Sequence, residues 1–333
     1  TGFNGSWLAL WLQHMGAEVF GYALPPATKP SLFELGSVAQ GMTSQFGDLR
    51  QAEGIATFMT QSQPEIILHL AAQALVSEGY TDPIGTYASN VMGTVHLLNA
   101  ARQCPSVRAI LVVTSDKCYE NREWAWPYRE NEALGGFDPY SNSKACAELV
   151  TSAFRQSFFN EQKINIASAR AGNVFGGGDW SPNRLIPDLL AAFTARETAT
   201  LRRPQAVRPW QHVLEPLAGY LMLTEKLLAD PSFAVPFNFG PGDSESLTVG
   251  EVATRLCQAW GEDARCDIES TDFPHEAGQL RLDSSQARQR LGWHPRMGLD
   301  AGLSATVDWQ KAWISGQNMH NFTLRQISDY MSS

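Results

Sequence analysis

The chain has 333 residues, 44% of them hydrophobic and 18% charged, with a formal net charge of −9. That length is enough for one large core or for two lobes. The acidic balance argues against a protein that wraps nucleic acid or lies on an anionic membrane. Because no apolar run is long enough to cross a bilayer and no secretory signal opens the chain, we expect a cytoplasmic protein.

The cysteine count is odd, and no two cysteines form a C-x-x-C pair. In a chain of this length such usage predicts neither a disulfide framework nor a zinc site. We therefore expect no bound metal, and buried or half-buried thiols at all five positions, Cys104, Cys118, Cys146, Cys257 and Cys266.

The first half of the chain alternates apolar runs with helical patterns. Strands are predicted at 18–24, 65–70, 109–114 and 164–169, and helices at 7–15, 52–60, 83–102 and 140–159. Apolar strands separated by helices are typical of a parallel sheet covered on both faces, which predicts a doubly wound, Rossmann-like α/β fold. The second half is less regular, with helices predicted at 185–193, 216–228 and 248–260. It favours a smaller lobe interleaved with returns to the sheet.

The chain opens on a glycine-rich turn directly before a helical pattern, with Gly2 and Gly5 three positions apart. Such a turn lets the backbone approach a pyrophosphate and offers it the free N–H groups of the helix. In dinucleotide folds a strand precedes this turn. We therefore expect the natural protein to have a strand and one more glycine upstream of this turn.

The acidic residue that usually follows the turn by about 20 positions is absent. Leu24 stands there, and the next carboxylate along the chain is Glu34. Either the cofactor is held loosely or another group accepts from the ribose. Lys29 is a ligand for a 2′-phosphate or, more simply, a solvated lysine.

Two further segments are candidates for contact with a dinucleotide. Asp48, followed by Leu49, is placed to accept from an adenine amino group, and its alternative role is a helix N-cap with Gln51 at the third helical position. His69 is more simply a structural histidine. Small or apolar residues that end the next strand let a cofactor approach the carboxyl edge of the sheet, namely Leu70, Ala71 and Ala72.

Tyr140 and Lys144 are four residues apart and share one face of a predicted helix. A nearby ammonium favours the phenolate, and lowering a tyrosine pKa from about 10 to near 7 takes roughly 4 kcal/mol. The tyrosine then serves as a base at neutral pH. A tyrosine and a lysine at this spacing arise easily by chance. Thr114 and Ser115, however, lie at the end of the preceding predicted strand and offer hydroxyls to the same substrate oxygen. The strand-end hydroxyl together with the tyrosine and lysine is a far more specific signal than the spacing alone.

These segments resemble the extended short-chain dehydrogenase/reductases that act on nucleotide sugars, and among them the 4,6-dehydratases. The resemblance covers nearly the whole chain. It rests on residues 114–121 (TSDKCYEN), 138–144 (DPYSNSK), 170–180 (RAGNVFGGGDW) and 208–213 (RPWQHV), with 291–295 (LGWHP) as a more general mark of the family.

The resemblance implies NAD as the cofactor and CDP-glucose as the substrate. It implies an NAD-binding domain of residues 1–172 with parts of about 205–240 and 300–320. A nucleotide-sugar lobe would comprise 173–204 and about 241–299. It further implies a homodimer or a dimer of dimers, and a product destined to become a deoxysugar of cell-surface polysaccharide such as O-antigen.

In the implied reaction Tyr140 removes the proton of the sugar 4-hydroxyl, while Lys144 holds the nicotinamide ribose and Ser115 shares the 4-oxygen. Hydride leaves C4, water is lost across C5 and C6, and hydride returns to C6. Asp116 would protonate the leaving 6-hydroxyl and Lys117 would remove the C5 proton.

Lys117 departs from relatives that carry glutamate at this position. A lysine base must be neutral, so its pKa must fall from about 10.4 through burial or the nearby Lys144. Alternatively, Lys117 stays charged and stabilises the enolate. The sequence leaves both roles open.

Four residues resemble contacts of the nucleotide sugar: Asn173, Arg184, Arg208 and His275. The two guanidinium groups suit the two phosphates, and their alternative is surface ion pairs. Asn4 stands where relatives carry a lysine in the phosphate turn. Trp124 and Trp126 either close over the sugar or belong to the core.

The predicted helices at 83–102 and 140–159 resemble the pair that forms the dimer interface in this family, with Val91, Val95 and Leu98 on an outer apolar face. Two other functions remain open beside a dehydratase of CDP-glucose or another nucleotide sugar. A 4-epimerase needs the hydroxyl and the tyrosine but not an acid–base pair, so Asp116 and Lys117 argue against it. A sensor would bind NAD without turning over any nucleotide sugar.

Overall fold

The computed structural model describes residues 1–242, 246–261, 264–268 and 278–333. Its strands are β1 (Phe20–Ala23), β2 (Thr43–Phe46), β3 (Ile66–His69), β4 (Ala109–Val113), β5 (Asn165–Ala171), β6 (Asn173–Phe175), β7 (Ala199–Leu201), β8 (Val207–His212), β9 (Phe237–Phe239), β10 (Ser246–Thr248) and β11 (Cys266–Ile268).

Its helices are α1 (Phe3–His14), α2 (Leu32–Leu35), α3 (Ala52–Ser62), α4 (Val76–Thr81), α5 (Pro83–Tyr87), α6 (Gly93–Ala101), α7 (Pro139–Phe154), α8 (Asn160–Gln162), α9 (Leu185–Ala195), α10 (Leu214–Ala229), α11 (Val249–Trp260), α12 (Leu299–Ile314) and α13 (Met319–Ser332). Among the described residues, no helix has both the length and the apolar character that crossing a bilayer requires.

The central sheet has the order β3-β4-β5-β9, and all of its strands run parallel. β1 and β2 form a separate parallel pair. In the described part of the chain, no strand pairs with the edge of β1 away from β2 or with the edge of β3 away from β4. The expectation that a further strand precedes Gly2 stays a prediction.

The two faces of β4 pack into two different cores, because successive side chains of a strand point to opposite faces. Ala109 and Leu111 join a cluster that includes residues of α1, α10, α12 and α13. Ile110 and Val112 join a cluster that includes residues of α3 and α6. A parallel sheet with helices on both faces confirms the predicted Rossmann-like α/β class.

A third core belongs to the second half of the chain. It packs α9, α11 and α12 beside the small sheets β10-β8-β6 and β11-β7, with Leu189, Phe193, Val252 and Leu256 at its centre. α12 also contributes Trp309 to the first core, so this helix joins the two halves. The domain boundaries expected from the sequence stay a prediction.

All four predicted strands and all seven predicted helices are present, with ends shifted by a few residues. The predicted helices at 83–102 and 140–159 each contain a π-helical segment, Ala88–Met92 and Arg155–Phe159. α12 and α13 were not predicted from the sequence.

The expected outer face of α6 is wrong for Leu98, which is fully buried in the second core, whereas Val91 and Val95 are half-buried. The exposed apolar side chains of this pair of helices and their π-helical segments are instead Ile84, Met92, Leu149 and Phe158.

His212 is a buried histidine at the end of β8. Its ring lies edge-on to Trp7 and Phe175, with centroids 6.0 Å away in both cases. Its Nδ1 accepts from the backbone N–H of Leu214 at 3.4 Å, so the ring is neutral. Burial lowers the pKa of His212 to about 3.

This burial predicts a loss of stability in acid. The unfolded chain takes up a proton at the ordinary histidine pKa of about 6.5, whereas native His212 does not until about pH 3. Stability therefore falls as pH drops from about 6.5 towards 3. His212→Asn keeps an acceptor for Leu214 but does not titrate. In urea unfolding, we expect its loss of stability between about pH 7 and pH 5 to be smaller than the wild-type loss by about 2 kcal/mol.

His294→Asn is the matched control, because His294 is exposed. It should leave the wild-type pH dependence unchanged. If His212→Asn loses as much stability in acid as the wild type, a neutral, buried His212 is the wrong account.

Candidate active site

The carboxyl ends of β3, β4 and β5 lie at one edge of the sheet. The register aligns His69 with Val112, and Val113 with Ala169. The loops that follow these strands therefore meet at that edge. They carry most of the residues that the sequence singled out on this half of the fold, namely Leu70, Ala71, Ala72, Thr114, Ser115, Asp116 and Lys117, and Asn173 begins β6 two residues after β5 ends.

The turn after β4 holds a compact hydroxyl–carboxyl pair. Ser115 caps the short 3-10 helix Asp116–Cys118 by accepting from the N–H of Lys117 at 3.2 Å, and its hydroxyl donates to Oδ1 of Asp116 at 3.0 Å. Asp116 is 2% exposed, and its Oδ2 has no hydrogen-bond partner among the described residues. One carboxyl oxygen is thus left available for a ligand.

Burial raises the pKa of Asp116, and the charges of Lys117 and Arg208 and the hydrogen bond from Ser115 only partly oppose this. A raised pKa keeps a carboxyl group protonated closer to neutral pH, which suits a proton donor. Lys117, beside it, is half-buried.

Tyr140 and Lys144 lie on one face of α7 and are both buried. The lowered tyrosine pKa that the helical spacing predicts is not found in this structure. Burial raises the pKa of Tyr140, and the groups that act in the opposite direction are the Ser115 hydroxyl and Arg184. The Lys144 ammonium instead donates to the carbonyl of Val113 at 3.4 Å, and burial lowers its pKa to about 8.

The start of α7 is held by polar contacts on both sides. Asp138 is its N-cap and accepts from the N–H of Ser141 at 3.0 Å. The hydroxyl of Ser143 donates to the carbonyl of Tyr140 at 2.7 Å and accepts from the amide of Asn90 at 2.8 Å. The same Asn90 side chain bonds both backbone groups of Gln73, in the loop after β3. These bonds fix Tyr140 against the sheet edge.

The first turn of α1 has the features of an anion site. Gly2 is its N-cap and provides no side-chain cap, and the first turn contains no acidic residue. A Cβ atom at Gly2 or Gly5 would meet nothing within 4 Å, so the space beside both glycines is open. Asn4 Oδ1 is buried without a partner among the described residues. Free N–H groups at a helix start suit a pyrophosphate, and this turn therefore fits the expected dinucleotide.

The capping role considered for Asp48 is wrong, because the N-cap of α3 is Gln51, without a side-chain cap. Both Asp48 oxygens bind Arg50 instead, and these bonds lower the pKa of the carboxyl group. Leu49 is buried, and its carbonyl contacts His96 at 2.7 Å. Leu24 lies just after β1, where its carbonyl accepts from Thr1.

The candidate phosphate ligands lie on two elements near the turn of residues 115–117. Arg208, on β8, is 4% exposed and donates to the carbonyl of Val207 at 2.9 Å, so it is not a surface residue. Arg184 forms an ion pair with Asp179 at 3.8 Å and is close enough to influence Tyr140. Asn173 begins β6, directly beside β8. His275 lies outside the described residues.

The two tryptophans that the sequence left undecided differ in their surroundings. Trp124 stacks on Tyr128 with ring centroids 5.4 Å apart and packs against a small apolar cluster that also contains Cys118, Leu280 and Leu282. Trp126 is 73% exposed.

His69 and Lys29, which the sequence considered as simple structural or surface residues, have such surroundings in the structure. His69 contacts the Thr94 hydroxyl at 3.0 Å in a buried position, as a structural histidine would, and Lys29 is exposed.

The sequence did not single out one part of the site, the buried pair of Glu148 and Arg170, whose charged atoms are 2.8 Å apart. Glu148 follows Lys144 by four residues, so the helical spacing offered a signal. Its partners come from β4 and β5 and are remote in sequence. Within the described ranges, no three His, Cys, Asp or Glu side chains are grouped as metal ligands.

Comparison with known proteins agrees with this geometry. The family model for GDP-mannose 4,6 dehydratase matches residues 1–306. A CDP-glucose 4,6-dehydratase of Salmonella typhimurium is 51% identical over 339 residues, which cover 100% of this chain and 94% of that protein. The fold and the site define an extended short-chain dehydrogenase/reductase of the kind that acts on nucleotide sugars. The chain belongs to the GDP-mannose 4,6 dehydratase family, which confirms the class that the motifs implied.

Solved structures show the same fold. A UDP-glucose 4-epimerase of Thermotoga maritima superposes with a TM-score of 0.83 at 21% identity, over 94% of this chain and 97% of that one. A dTDP-glucose 4,6-dehydratase of Streptomyces venezuelae with NAD bound gives a TM-score of 0.81 at 22% identity, over 96% and 97%.

Proposed function

We propose that this chain is a CDP-glucose 4,6-dehydratase, which removes water from CDP-glucose to give CDP-4-keto-6-deoxyglucose. The observation that carries the proposal is the turn after β4, where Asp116 and Lys117 directly follow Ser115. Dehydration needs an acid for the 6-hydroxyl and a base for the C5 proton, whereas epimerisation at C4 needs neither. The 51% identity to a CDP-glucose 4,6-dehydratase supports the choice of nucleotide.

Tyr140 is the proposed base for the 4-hydroxyl, and Ser115 is the proposed hydrogen-bond partner of the 4-oxygen. Burial favours the neutral phenol, so the base form needs stabilisation, and Ser115 and Arg184 already act in that direction. Lys144 is placed one turn along the same helix face to add its charge.

Asp116 is the proposed donor to the leaving 6-hydroxyl. Its raised pKa favours the protonated form, and Oδ2 is the oxygen without a partner among the described residues. Once C4 is a ketone, the C5 proton is acidic, and Lys117 is the proposed group that removes it. The protonated carboxyl group gives its proton to the leaving 6-hydroxyl, and the Lys117 side chain acts as a neutral amine that becomes an ammonium when it takes the C5 proton.

NAD is the proposed cofactor, and when bound it accepts the hydrogen of C4 and returns it at C6. The first turn of α1, with Gly2 and Gly5, would hold its pyrophosphate. Asp48 and Leu49 would lie near the adenine, and Leu70, Ala71, Ala72 and Thr114 would line the path to the nicotinamide. The exposed Lys29 gives no support to a 2′-phosphate.

Asn173, Arg184, Arg208 and His275 remain the proposed contacts of the nucleotide sugar. Arg208 is buried and its charge acts on Asp116, which supports a diphosphate contact close to the proposed acid. Its positive charge would bind the diphosphate of the nucleotide sugar.

The proposed function is tested by incubating the protein with CDP-glucose and NAD and following the 4-keto-6-deoxy product, which absorbs in base. We expect product from CDP-glucose without net formation of NADH. Faster turnover of dTDP-glucose, UDP-glucose or GDP-mannose would overturn the nucleotide assignment. Binding of NAD without turnover of any of the four would support the sensor function instead.

Asp116→Asn tests the proposed acid. The amide cannot donate a carboxylic proton, so we expect kcat to fall by about 100-fold or more while KM for CDP-glucose changes little. The wild-type rate should also fall as pH rises through the raised pKa of Asp116, because only the protonated form donates. Asp300→Asn, at a carboxyl group 73% exposed, is the control that should keep wild-type kinetics. A rate loss below threefold in Asp116→Asn would contradict the role.

The chain is also proposed to form a homodimer through α5, α7 and their π-helical segments. Four apolar side chains of these helices and segments are exposed, and Ile84 is 81% exposed. Exposed apolar side chains on two helices that pack together favour a contact with a second copy, and the two-fold symmetry of such a contact brings the same residues together.

Leu149→Glu tests this interface, because it places like charges near each other across the two-fold axis and costs little in a monomer, where the side chain is 58% exposed. Sedimentation velocity should show a wild-type dimer and a monomeric variant. Ile314→Glu, at an exposed position on α12, should remain dimeric. A monomeric wild type, or a dimeric Leu149→Glu, would refute the interface.

A further inference from the structure

Glu148 lies on the same helix face as the candidate catalytic pair. Tyr140, Lys144 and Glu148 are spaced four residues apart along α7, so they stand one above another. Glu148 is 3% exposed. Unlike Asp116, whose Oδ2 has no partner among the described residues, Glu148 has both carboxylate oxygens occupied by protein donors, so its role must pass through its neighbours.

The hydrogen bonds of this carboxylate connect α7 to the strands β4 and β5. Oε1 accepts from the hydroxyl of Thr114 at 2.5 Å, and Thr114 directly precedes Ser115. Oε2 accepts from Ser168 at 2.6 Å and from Arg170 at 2.8 Å, both on β5. One side chain thus joins the end of β4, the middle of β5 and α7.

Arg170 extends this hydrogen-bond network to Tyr119, which lies after the turn of residues 115–117. Its Nη1 donates to the Tyr119 hydroxyl at 2.8 Å and to the carbonyl of Glu130 at 3.0 Å. Tyr119 directly follows the 3-10 helix Asp116–Cys118 and donates to Asn238 on β9 at 2.7 Å. The pair therefore holds the turn of residues 115–117 from both ends.

A buried ion pair of this kind is costly to form, and leaving one partner alone is worse, because an unpaired charge stays in the interior. Burial acts against the Glu148 carboxylate, yet Arg170 and the hydroxyls of Ser168 and Thr114 hold the pKa of Glu148 below its usual value. The side chain is thus a fixed negative charge under the site.

We propose that Glu148 is a positioning residue for the dehydration, which fixes the turn of residues 115–117 against the helix that carries Tyr140 and Lys144 and supplies the negative charge that keeps Lys144 protonated. The kinetic part of this inference rests on the proposed function, whereas the effect on Lys144 does not.

The groups that face Lys144 come from three elements. They are His69 at the end of β3, Cys118 in the turn after β4, and Glu148 on α7 itself. Burial lowers the pKa of Lys144, and Cys118 and Glu148 oppose that fall. Burial raises the pKa of Cys118 and lowers that of His69, so both are neutral near pH 7. Glu148 is then the negative charge that remains.

The test is Glu148→Gln, which keeps the shape of the side chain and removes its charge. Carbon NMR of protein labelled at lysine Cε follows the titration of Lys144 without cofactor or substrate. The chain has only six lysines, and Lys144→Arg assigns the signal. We expect the pKa of Lys144 to be lower in Glu148→Gln than in the wild type.

Glu215→Gln is the matched control. Glu215 is also a buried helical glutamate, but its Oε1 accepts from the backbone N–H groups of Arg296 and Met297 and not from residues at the end of β4 or on β5. Both variants should lower the melting temperature, and only Glu148→Gln should move the Lys144 titration. An unchanged titration in Glu148→Gln, or an equal shift in Glu215→Gln, would overturn the proposal.

Kinetics test the positioning directly. In Glu148→Gln we expect kcat for CDP-glucose to fall on the order of 100-fold with KM changed less than threefold. The Lys144 cation is lost as pH rises through its pKa, and activity that depends on this charge falls with it. The fall in kcat at high pH should therefore occur at a lower pH in Glu148→Gln than in the wild type. Glu215→Gln should keep the wild-type profile. A Glu148→Gln enzyme with wild-type kcat would contradict the positioning role.

Thr114→Val serves if Glu148→Gln does not fold, because it removes one hydroxyl and leaves the ion pair intact. We expect a fall in kcat with a smaller loss of stability, and unchanged kcat would again refute the role. If the wild type turns over no CDP-glucose, the proposed function fails, and the Lys144 titration still decides whether Glu148 sets that charge.

Discussion

The alignment of three parallel strands decides where the candidate acid–base groups of this protein lie. β3, β4 and β5 end at one edge, and their backbone register leaves no freedom to slide one loop away from another. Hydrogen bonds between α7 and the sheet then fix the position of this helix relative to the strand ends. Asn90 ties α7 to the loop after β3, and the pair of Glu148 and Arg170 ties the same helix to β4 and β5. The turn after β4, with Ser115, Asp116 and Lys117, and the start of α7, with Tyr140 and Lys144, are thereby held at this edge.

Desolvation then sets the chemistry of these groups. Burial raises the pKa of Asp116 and of Tyr140 and lowers that of Lys144 to about 8. Each shift moves the group towards its neutral form, as expected where water is excluded. For Asp116, the proposed acid, this direction is useful. For Tyr140, the proposed base, it is a cost, and in the role proposed for Glu148 its fixed charge offsets part of that cost by keeping Lys144, one turn along α7, charged.

Local patterns in the sequence predicted most of the fold. Apolar runs located the strands, and helical periodicity located seven helices, because both signals lie within a few residues. The prediction was wrong for Leu98 because its remote partners on α3 and β4 draw it into the core. It was wrong for Asp48 because the neighbouring Arg50 binds both carboxylate oxygens, so that Asp48 does not cap α3.

The site was predicted less completely. Motifs identified Ser115, Asp116, Lys117, Tyr140 and Lys144, since these residues occur in two short segments. The predicted lowering of the Tyr140 pKa was wrong because the spacing of two residues along a helix carries no information about how deeply they are buried. Glu148 was missed because its partners, Thr114, Ser168 and Arg170, come from strands that only the folded sheet brings together.

The central claim is that one sugar loses water by an internal transfer of hydrogen from C4 to C6. The most direct measurement uses CDP-glucose that carries deuterium at C4, with product analysis by NMR. The account predicts that the deuterium appears at C6 of the 4-keto-6-deoxy product. Deuterium that is found in solvent or in free NADH, or a product that keeps its 6-hydroxyl, would contradict it.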